Sequence, residues 1–273
     1  MKIDQLIDEA LQEDIGYGDI TSNYLELGNE KSLAFLIAKE NGILAGLNIA
    51  LAVFRKLDPE LSWIAYKRDG DRLKKGEEII KLNGYTKAIL SGERVALNFL
   101  QRLSGIATIT KKMVDIITPY GPKLLDTRKT TPLHRELEKY AVTIGGGYNH
   151  RFGLYDMIMV KDNHIQAAGS ITAAVERIRQ HNVNYRIEIE VKNLKELQEA
   201  LNCRVERIML DNMPLTSIRK AVERYSEMVE LEVSGGINID NIEKYARTGI
   251  QFISAGFITH SVKSLDISLL FRD

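Results

Sequence analysis

Basic side chains cluster in one part of a chain that has no net charge. The 273 residues contain 37 Lys and Arg against 37 Asp and Glu, so solubility does not require a cationic cluster. The stretch Asp126–His164 nevertheless carries Arg128, Lys129, His134, His150, Arg151, Lys161 and His164. Arg presents a planar fork that suits carboxylates, and Lys supplies a compact charge. The cluster therefore predicts a ligand with more than one negative group.

Six short apolar runs after residue 120 alternate with amphipathic helical stretches. This rhythm predicts parallel strands and favours an α/β barrel, whose active site lies at the carboxyl ends of its strands. Residues that could bind a ligand or take part in catalysis come at or just after the ends of these runs. They are Asp126 with Arg128 and Lys129, then Lys161, Glu190, Asp211, Ser234 and Gly256. We expect them to meet at one opening.

Two further features point to a phosphorylated ligand. Glu190 and Asp211 end neighbouring strands without a His or Cys partner, a donor pair that favours Mg²⁺ shared with a phosphate. Ser-Gly-Gly at 234–236 and Ser-Ala-Gly at 254–256 let backbone N–H groups approach a phosphate, although each could also be a tight turn. Together these features predict group transfer from a phosphorylated donor to a polyanionic acceptor, with electrostatics as the main catalytic contribution.

The remainder of the chain predicts a smaller preceding domain. Helices are expected over residues 2–13, 47–57 and 88–117, with short strands between 32 and 88 and a break or close packing point at Gly105. The composition changes near 105–120. The balanced charge argues against nucleic-acid binding, and a single cysteine, Cys203, excludes an internal disulfide. Without a signal peptide or a long apolar segment, we expect a cytoplasmic protein with no membrane contact.

Several motifs resemble the quinolinate phosphoribosyltransferases along essentially the whole chain. They are ALQEDIGYGDITS, GERVALNFLQRLSGIAT, DTRKTTP, LEKYAV, GGGYNHRFGLYDMIMVKDNH, IMLDNM, LEVSGGI and ITHSVKSLDISL. The resemblance implies a pentosyltransferase that joins quinolinate to phosphoribosyl pyrophosphate (PRPP) in NAD biosynthesis. The products would be nicotinate mononucleotide, pyrophosphate and CO₂, with Mg²⁺ and no organic cofactor.

The same resemblance implies the architecture. Residues 1–110 would form an α/β sandwich domain, and 111–264 an open α/β barrel of parallel strands. The tail, 265–273, would pack back on the first domain. Family members are dimers or larger, in which one subunit contributes to the site of another.

The resemblance also implies roles for individual residues. Lys129, Lys161, Glu190 and Asp211 would be catalytic, and the two carboxylates would also hold the metal. The substrate-binding set would be Arg94, Thr127, Arg128, Lys129, His150, Arg151, Lys161, Glu190, Asp211, Ser234, Gly235, Gly236, Ala255, Gly256 and His260. Arg94 would come from the partner subunit, and His150 would face the quinolinate carboxylates.

The chain departs from the family pattern at three places. Leu133-His134 replaces a common Gly-Leu, Tyr148 replaces a smaller residue, and Lys192 replaces a frequent acidic residue. Alternative functions are a molybdate-associated paralogue, a nicotinate-preferring transferase and a non-catalytic protein that binds phosphorylated metabolites. The intact KDNH at Lys161–His164 argues against the first, and the pair of carboxylates argues against the last.

Overall fold

The structure is a computed structural model that describes residues 3–25, 27–182 and 184–272. The chain forms two compact units. The first comprises the chain up to Lys111, the segment Thr131–Gly146 and the chain from Val262 onward. The second comprises Lys112–Thr130 and Gly147–Ser261.

The first unit contains an antiparallel sheet of four strands in the order β12-β1-β5-β3 and a two-stranded ladder of β2 and β4. The strands are β1 Lys31–Ala38, β2 Gly42–Ile43, β3 Ser62–Ala65, β4 Arg72–Leu73, β5 Glu78–Tyr85 and β12 Ile267–Arg272. Its helices include α1 Ile3–Ile15, α2 Ile20–Tyr24, α3 Leu47–Leu57 and α5 Arg135–Ile144, and α4 Thr86–Ile117 begins in this unit. The predicted helices at 2–13, 47–57 and 88–117 are thus confirmed to within two residues at each end.

Helix α4 continues without interruption through Gly105. A Cβ at this position would collide with the backbone oxygen of Lys263 and lie 3.1 Å from the Cα of Ser264. Gly105 is therefore a close packing point, and the alternative prediction of a helix break is wrong. The absence of a side chain lets the chain near Lys263 approach the helix backbone.

The second unit contains six parallel strands in the order β6-β11-β10-β9-β8-β7. The strands are β6 Lys123–Leu125, β7 Ile158–Val160, β8 Ile187–Val191, β9 Arg207–Asp211, β10 Glu230–Ser234 and β11 Phe252–Ser254. The helices α6 Asp162–Ala168, α7 Ile171–Arg179, α8 Leu194–Asn202, α9 Leu215–Tyr225, α10 Ile242–Ala246 and α11 Phe257–His260 follow these strands. The first and last strands in this order do not pair with each other in the described part of the chain, so the barrel is open, as predicted.

The register of these strands sets which side chains share a level. Successive residues of a strand alternate between its two faces. Glu190 and Asp211 therefore share a face with the residues two positions earlier on their own strands, Glu188 and Met209. The pairing Asp211↔Ser234 places the ends of β9 and β10 at the same level. Polar side chains thus form a layer at the carboxyl ends, and a buried layer that includes Glu188 and Met209 lies beneath it.

The segment Thr131–Gly146 belongs to the first unit, although the predicted boundary placed all of 111–264 in the barrel. The buried carboxylate of Glu138 on α5 explains this difference. Its Oε1 accepts hydrogen bonds of 2.8 and 2.6 Å from the guanidinium of Arg102 on α4, and the same guanidinium donates to Thr131 Oγ1 at 2.8 Å. These bonds tie the segment to α4 within the first unit.

No helix in the part of the chain that the structure describes is both long enough and apolar enough to cross a membrane. The cytoplasmic location stays a prediction.

We predict that Gly105→Ala lowers the free energy of unfolding by about 1–3 kcal/mol, because overpacking against backbone outweighs the gain of about 1 kcal/mol in helix propensity. Gly92→Ala, in the same helix, is the control. Its Cβ would meet only side-chain ends, of Leu57 and Phe54, at 3.1 Å. Urea unfolding of both variants measures the difference. Equal stabilities would contradict the close approach at Gly105.

Candidate active site

A cavity of about 620 Å³ opens at the carboxyl ends of the parallel strands. Its volume is in the range of sites for small organic ligands. It is lined by Thr127, Arg128, Lys129, His150, Arg151, Met159, Lys161, Glu190, Met209, Asp211, Asn212, Ser234, Gly235, Gly236, Ile237, Ser254, Gly256, Phe257 and His260. The structure thus brings together every predicted site residue except Arg94 and Ala255.

One side of the cavity is cationic. Arg151 is buried, and its Nη1 donates to the carbonyl oxygen of Met157 at 3.1 Å. Burial, followed by the neighbouring charge of Arg128, lowers the pKa of Arg151. Two guanidinium groups that repel each other in a partly dehydrated pocket favour binding of an anion, because the anion would offset both the repulsion and the loss of water.

Lys129 lies in a loop that hydrogen bonds hold on both sides. Its N–H donates to Thr127 Oγ1 at 3.0 Å, and its carbonyl oxygen accepts from Thr259 Oγ1 at 2.8 Å. A Cβ on Gly256 would lie 2.8 Å from the Cδ of Lys129. A glycine at this strand end therefore gives the lysine stem room to pass.

The facing side combines a cation with carboxylates. Lys161 Nζ lies 2.6 Å from Glu190 Oε2, and the Glu190 side chain is only 11% exposed. Lys161 precedes α6, and its N–H donates to Nδ1 of His164 at 3.0 Å. The KDNH sequence therefore fixes the start of the helix and presents the lysine to Glu190.

Asn212 is a cavity residue that the sequence analysis missed. Its Nδ2 donates to Asp211 Oδ2 at 2.8 Å, and its N–H donates to Ser234 O at 2.9 Å. Its φ of 51° is left-handed, a conformation that Asn tolerates better than most residues. The Asp-Asn pair directly after a strand was the available signal. Asn212 orients the carboxylate of Asp211.

The glycine turns differ in how much free space surrounds them. Gly236 has a φ of 59° and no atom within 4 Å of where a Cβ would lie, whereas a Cβ on Gly235 would collide with the side chain of Asn212.

The N–H of Ala255 donates to Leu125 O at 3.0 Å, so this N–H belongs to the hydrogen bonding of the sheet and is not available to the cavity. His260, at the end of α11, has its Nδ1 2.6 Å from Ser261 Oγ.

His150 lines the cavity, and both of its ring nitrogens lie close to other groups of the protein. Nε2 lies 3.1 Å from Glu188 Oε2 and 3.6 Å from Glu232 Oε1, and both carboxylates are fully buried. Nδ1 accepts a hydrogen bond of 2.7 Å from the N–H of Arg151. This geometry differs from the expectation of a histidine that turns a charged ring toward a ligand; a direct contact with substrate stays a prediction.

The pKa values of His150 and Glu188 are shifted by burial and by the charges around them. Burial lowers the pKa of His150, but hydrogen bonds and charge from Glu188 and Glu232 prevail and raise it to about 9. Burial and the neighbouring Glu232 raise the pKa of Glu188. A charged imidazolium would carry a hydrogen on Nδ1, but this nitrogen accepts the Arg151 N–H. We therefore assign a neutral ring with its hydrogen on Nε2 and place the additional proton of the cluster on the Glu188 carboxylate.

The remaining predicted residues and the three departures lie outside the cavity lining. Arg94 is an exposed residue of α4 in the first unit. Leu133 has a left-handed φ of 65°, which explains why a glycine suits this position, and the ring of His134 stacks on that of Phe99. Lys192 pairs with Asp162 at 3.0 Å, and Lys123 lies over the ring of Tyr148.

An open parallel barrel with a cationic cavity, two carboxylates and glycine turns defines a class of enzymes that act on phosphorylated, polyanionic substrates. Family models describe the chain more closely. The model of the quinolinate phosphoribosyl transferase N-terminal domain matches residues 19–104, and that of the C-terminal domain matches residues 106–270. The chain belongs to the quinolinate phosphoribosyltransferase family.

Individual relatives agree with this assignment. A Bacillus subtilis protein named probable nicotinate-nucleotide pyrophosphorylase (carboxylating) is 47% identical over 98% of this chain and 93% of its own length. The chloroplastic enzyme of that name from Arabidopsis thaliana is 44% identical over 95% of this chain and 80% of its own. The solved structure of the Francisella tularensis pyrophosphorylase has a TM-score of 0.95 at 41% identity, covering 99% of this chain and 96% of that one.

We predict that Gly235→Ala destabilises the protein more than Gly236→Ala does. Both changes put a side chain at positive φ, which costs about 1–2 kcal/mol, but only the first displaces Asn212 from Asp211. The two variants form a matched pair for urea unfolding. Equal losses of unfolding free energy would show that Gly235 does not need its close approach to Asn212.

Proposed function

We propose that the protein transfers the phosphoribosyl group of PRPP to quinolinate, releasing pyrophosphate and CO₂ and giving nicotinate mononucleotide. The observation that carries the proposal is the grouping of Arg128, Lys129, Arg151 and Lys161 in one cavity with Glu190 and Asp211. Relatives with this printed activity, at up to 47% identity over nearly the whole chain, support the same reaction.

The cations are required because the two substrates repel each other. Quinolinate is a dianion and PRPP carries more negative charge, so bringing them together in a partly dehydrated pocket needs opposite charge. Arg128 and Arg151 suit the two carboxylates, and Lys129 between the substrates suits both. Fixing the ring nitrogen opposite the ribose C1 also removes most of the orientational entropy of the reaction.

The bond changes follow from this arrangement. The ring nitrogen forms a bond to ribose C1 as the bond from C1 to the pyrophosphate oxygen breaks and its electron pair leaves with pyrophosphate. Positive charge develops on the ribose, where the carboxylate of Glu190 or Asp211 stabilises it. The resulting pyridinium accepts the electron pair of the adjacent C–CO₂⁻ bond, CO₂ departs, and the ring carbon then takes up a proton.

Mg²⁺ belongs to the proposal as the ion that accompanies PRPP. Glu190 and Asp211 would hold it, and their oxygen atoms at adjacent strand ends are the donor type that this ion prefers. The ion would supply positive charge for the leaving pyrophosphate. Two protein carboxylates would be enough, because Mg²⁺ usually keeps several waters and takes few protein ligands beside a phosphate.

The ion pair between Lys161 and Glu190 has a consequence for substrate binding. A quinolinate carboxylate that binds Lys161 competes with Glu190, which then becomes available to the ribose or the ion. The pair would thus link occupation of the acceptor site to release of a carboxylate for the donor site.

The direct experiment mixes the protein with Mg²⁺, PRPP and either quinolinate or nicotinate, and follows nicotinate mononucleotide and CO₂. We expect product from quinolinate only, with CO₂ in equal amount. Product from nicotinate without CO₂ would contradict the proposal, and so would the absence of any product from quinolinate with folded protein.

We predict that Lys161→Ala lowers kcat/KM for quinolinate on the order of 100-fold or more. A loss of this size corresponds to several kcal/mol of transition-state stabilisation. Lys192→Ala is the control, because Lys192 forms an exposed ion pair with Asp162 of a kind that contributes about 0–1 kcal/mol. Steady-state kinetics compares the two. Activity of Lys161→Ala within a few-fold of wild type would remove Lys161 from the reaction.

We also propose a homodimer or larger oligomer in which Arg94 of one subunit completes the site of another; the exposure of Arg94 on α4 permits this. We predict that inactive Arg94→Ala and inactive Lys161→Ala, refolded together in equal amounts, regain about a quarter of wild-type activity. Half of the dimers would be mixed, and each would hold one intact site. If Arg94 acts within its own subunit, every mixed site keeps one defect and no activity returns.

A further inference from the structure

Below the cavity lies a buried layer of charged groups for which the proposed reaction gives no role. Glu188 and Glu232 precede Glu190 and Ser234 by two residues on β8 and β10, so they share a strand face with the cavity residues but lie one level deeper. Both are fully buried. Their carboxylates both approach His150 Nε2, at 3.1 and 3.6 Å.

This layer is expensive in free energy for a purely structural element. Removing a carboxylate from water costs several kcal/mol even in a paired arrangement, and apolar residues of similar size often give equal or greater stability. The basic side chains that face these carboxylates are His150 and Arg207, and Nη1 of Arg207 lies 3.2 Å from Glu232 Oε2. Arg207 is itself stacked over the ring of Phe252 at 3.9 Å.

The buried layer is connected to the cavity through the two ring nitrogens of His150. Carboxylates around Nε2 keep the hydrogen on that nitrogen and leave a lone pair on Nδ1, which accepts the Arg151 N–H at 2.7 Å. The His150 N–H donates to the buried carboxylate of Asp126 at 2.8 Å. The main chain that carries Arg151 is therefore held from both the ring and the backbone of His150.

We propose that Glu188 and Glu232 are positioning residues that act through His150 to place Arg151 in the anion-binding part of the cavity. Neither carboxylate is among the residues that line the cavity. A ring without carboxylates at Nε2 can carry its hydrogen on either nitrogen or turn over, and either change removes the acceptor for the Arg151 N–H. The effect on catalysis rests on the proposed function, whereas the effect on the histidine does not.

The first test is kinetic. Glu188→Leu should raise KM for quinolinate at least about tenfold and leave KM for PRPP within about twofold, because only the carboxylate-binding part is disturbed. Glu188→Gln should restore KM to within about threefold of wild type, since its amide oxygen still accepts from Nε2–H. Glu230→Gln is the matched control, because Glu230 pairs with Arg207 on the same strand face but lies farther from the cavity.

The second test needs no activity. Two-bond ¹H–¹⁵N spectra of protein labelled at histidine report which ring nitrogen carries hydrogen, and comparison with His150→Gln assigns the signal. We expect the Nε2–H form in the wild type and in Glu188→Gln, and a mixture of forms in Glu188→Leu.

Three outcomes would overturn the proposal. The first is an unchanged histidine form together with unchanged KM values in Glu188→Leu. The second is an equal rise of both KM values with a lower free energy of unfolding, which indicates a general structural role. The third is the same KM effect in Glu230→Gln. If the wild type does not turn over quinolinate, the proposed function fails, and the spectra alone decide whether the carboxylates fix His150.

Discussion

The candidate active site depends on holding two positive charges close together in a partly dehydrated cavity. Arg128 and Arg151 lie close enough for the charge of one to lower the pKa of the other, and Arg151 is buried. Such a pair is tolerable only if the surrounding structure holds it and the ligand offsets it. This constraint explains why carboxylates lie in the cavity and why a buried layer holds the residues around Arg151.

The register of the parallel strands places the residues of the site at the same edge of the sheet. β8, β9 and β10 each place an acidic or polar residue at the carboxyl end, and the pairing of Asp211 with Ser234 fixes the level of two of these ends. Short polar contacts then orient single side chains, as Asn212 does for Asp211. Rigid strands supply the positions, and the loops after them supply the chemistry.

The sequence allowed prediction of the six strands, because each is a short apolar run bounded by a polar or glycine residue. It also allowed prediction of the charged residues and glycines at the strand ends that line the cavity, since the ends of parallel strands converge, whereas Thr127, His150 and His260 were predicted from the family resemblance. The segment 131–146 could not be assigned, because its place depends on the long-range pair Arg102–Glu138. Glu188 and Glu232 were overlooked, although the alternation in IEIEV and LEVS placed each on the same strand face as a recognised site residue.

The account is tested most directly by a crystal structure of the protein with quinolinate bound. It predicts the ligand in the cavity of the second unit, with its carboxylates paired to Arg128, Arg151 and Lys161, and Lys161 separated from Glu190. Quinolinate bound elsewhere, or bound in the cavity with its carboxylates away from these three side chains, would contradict it.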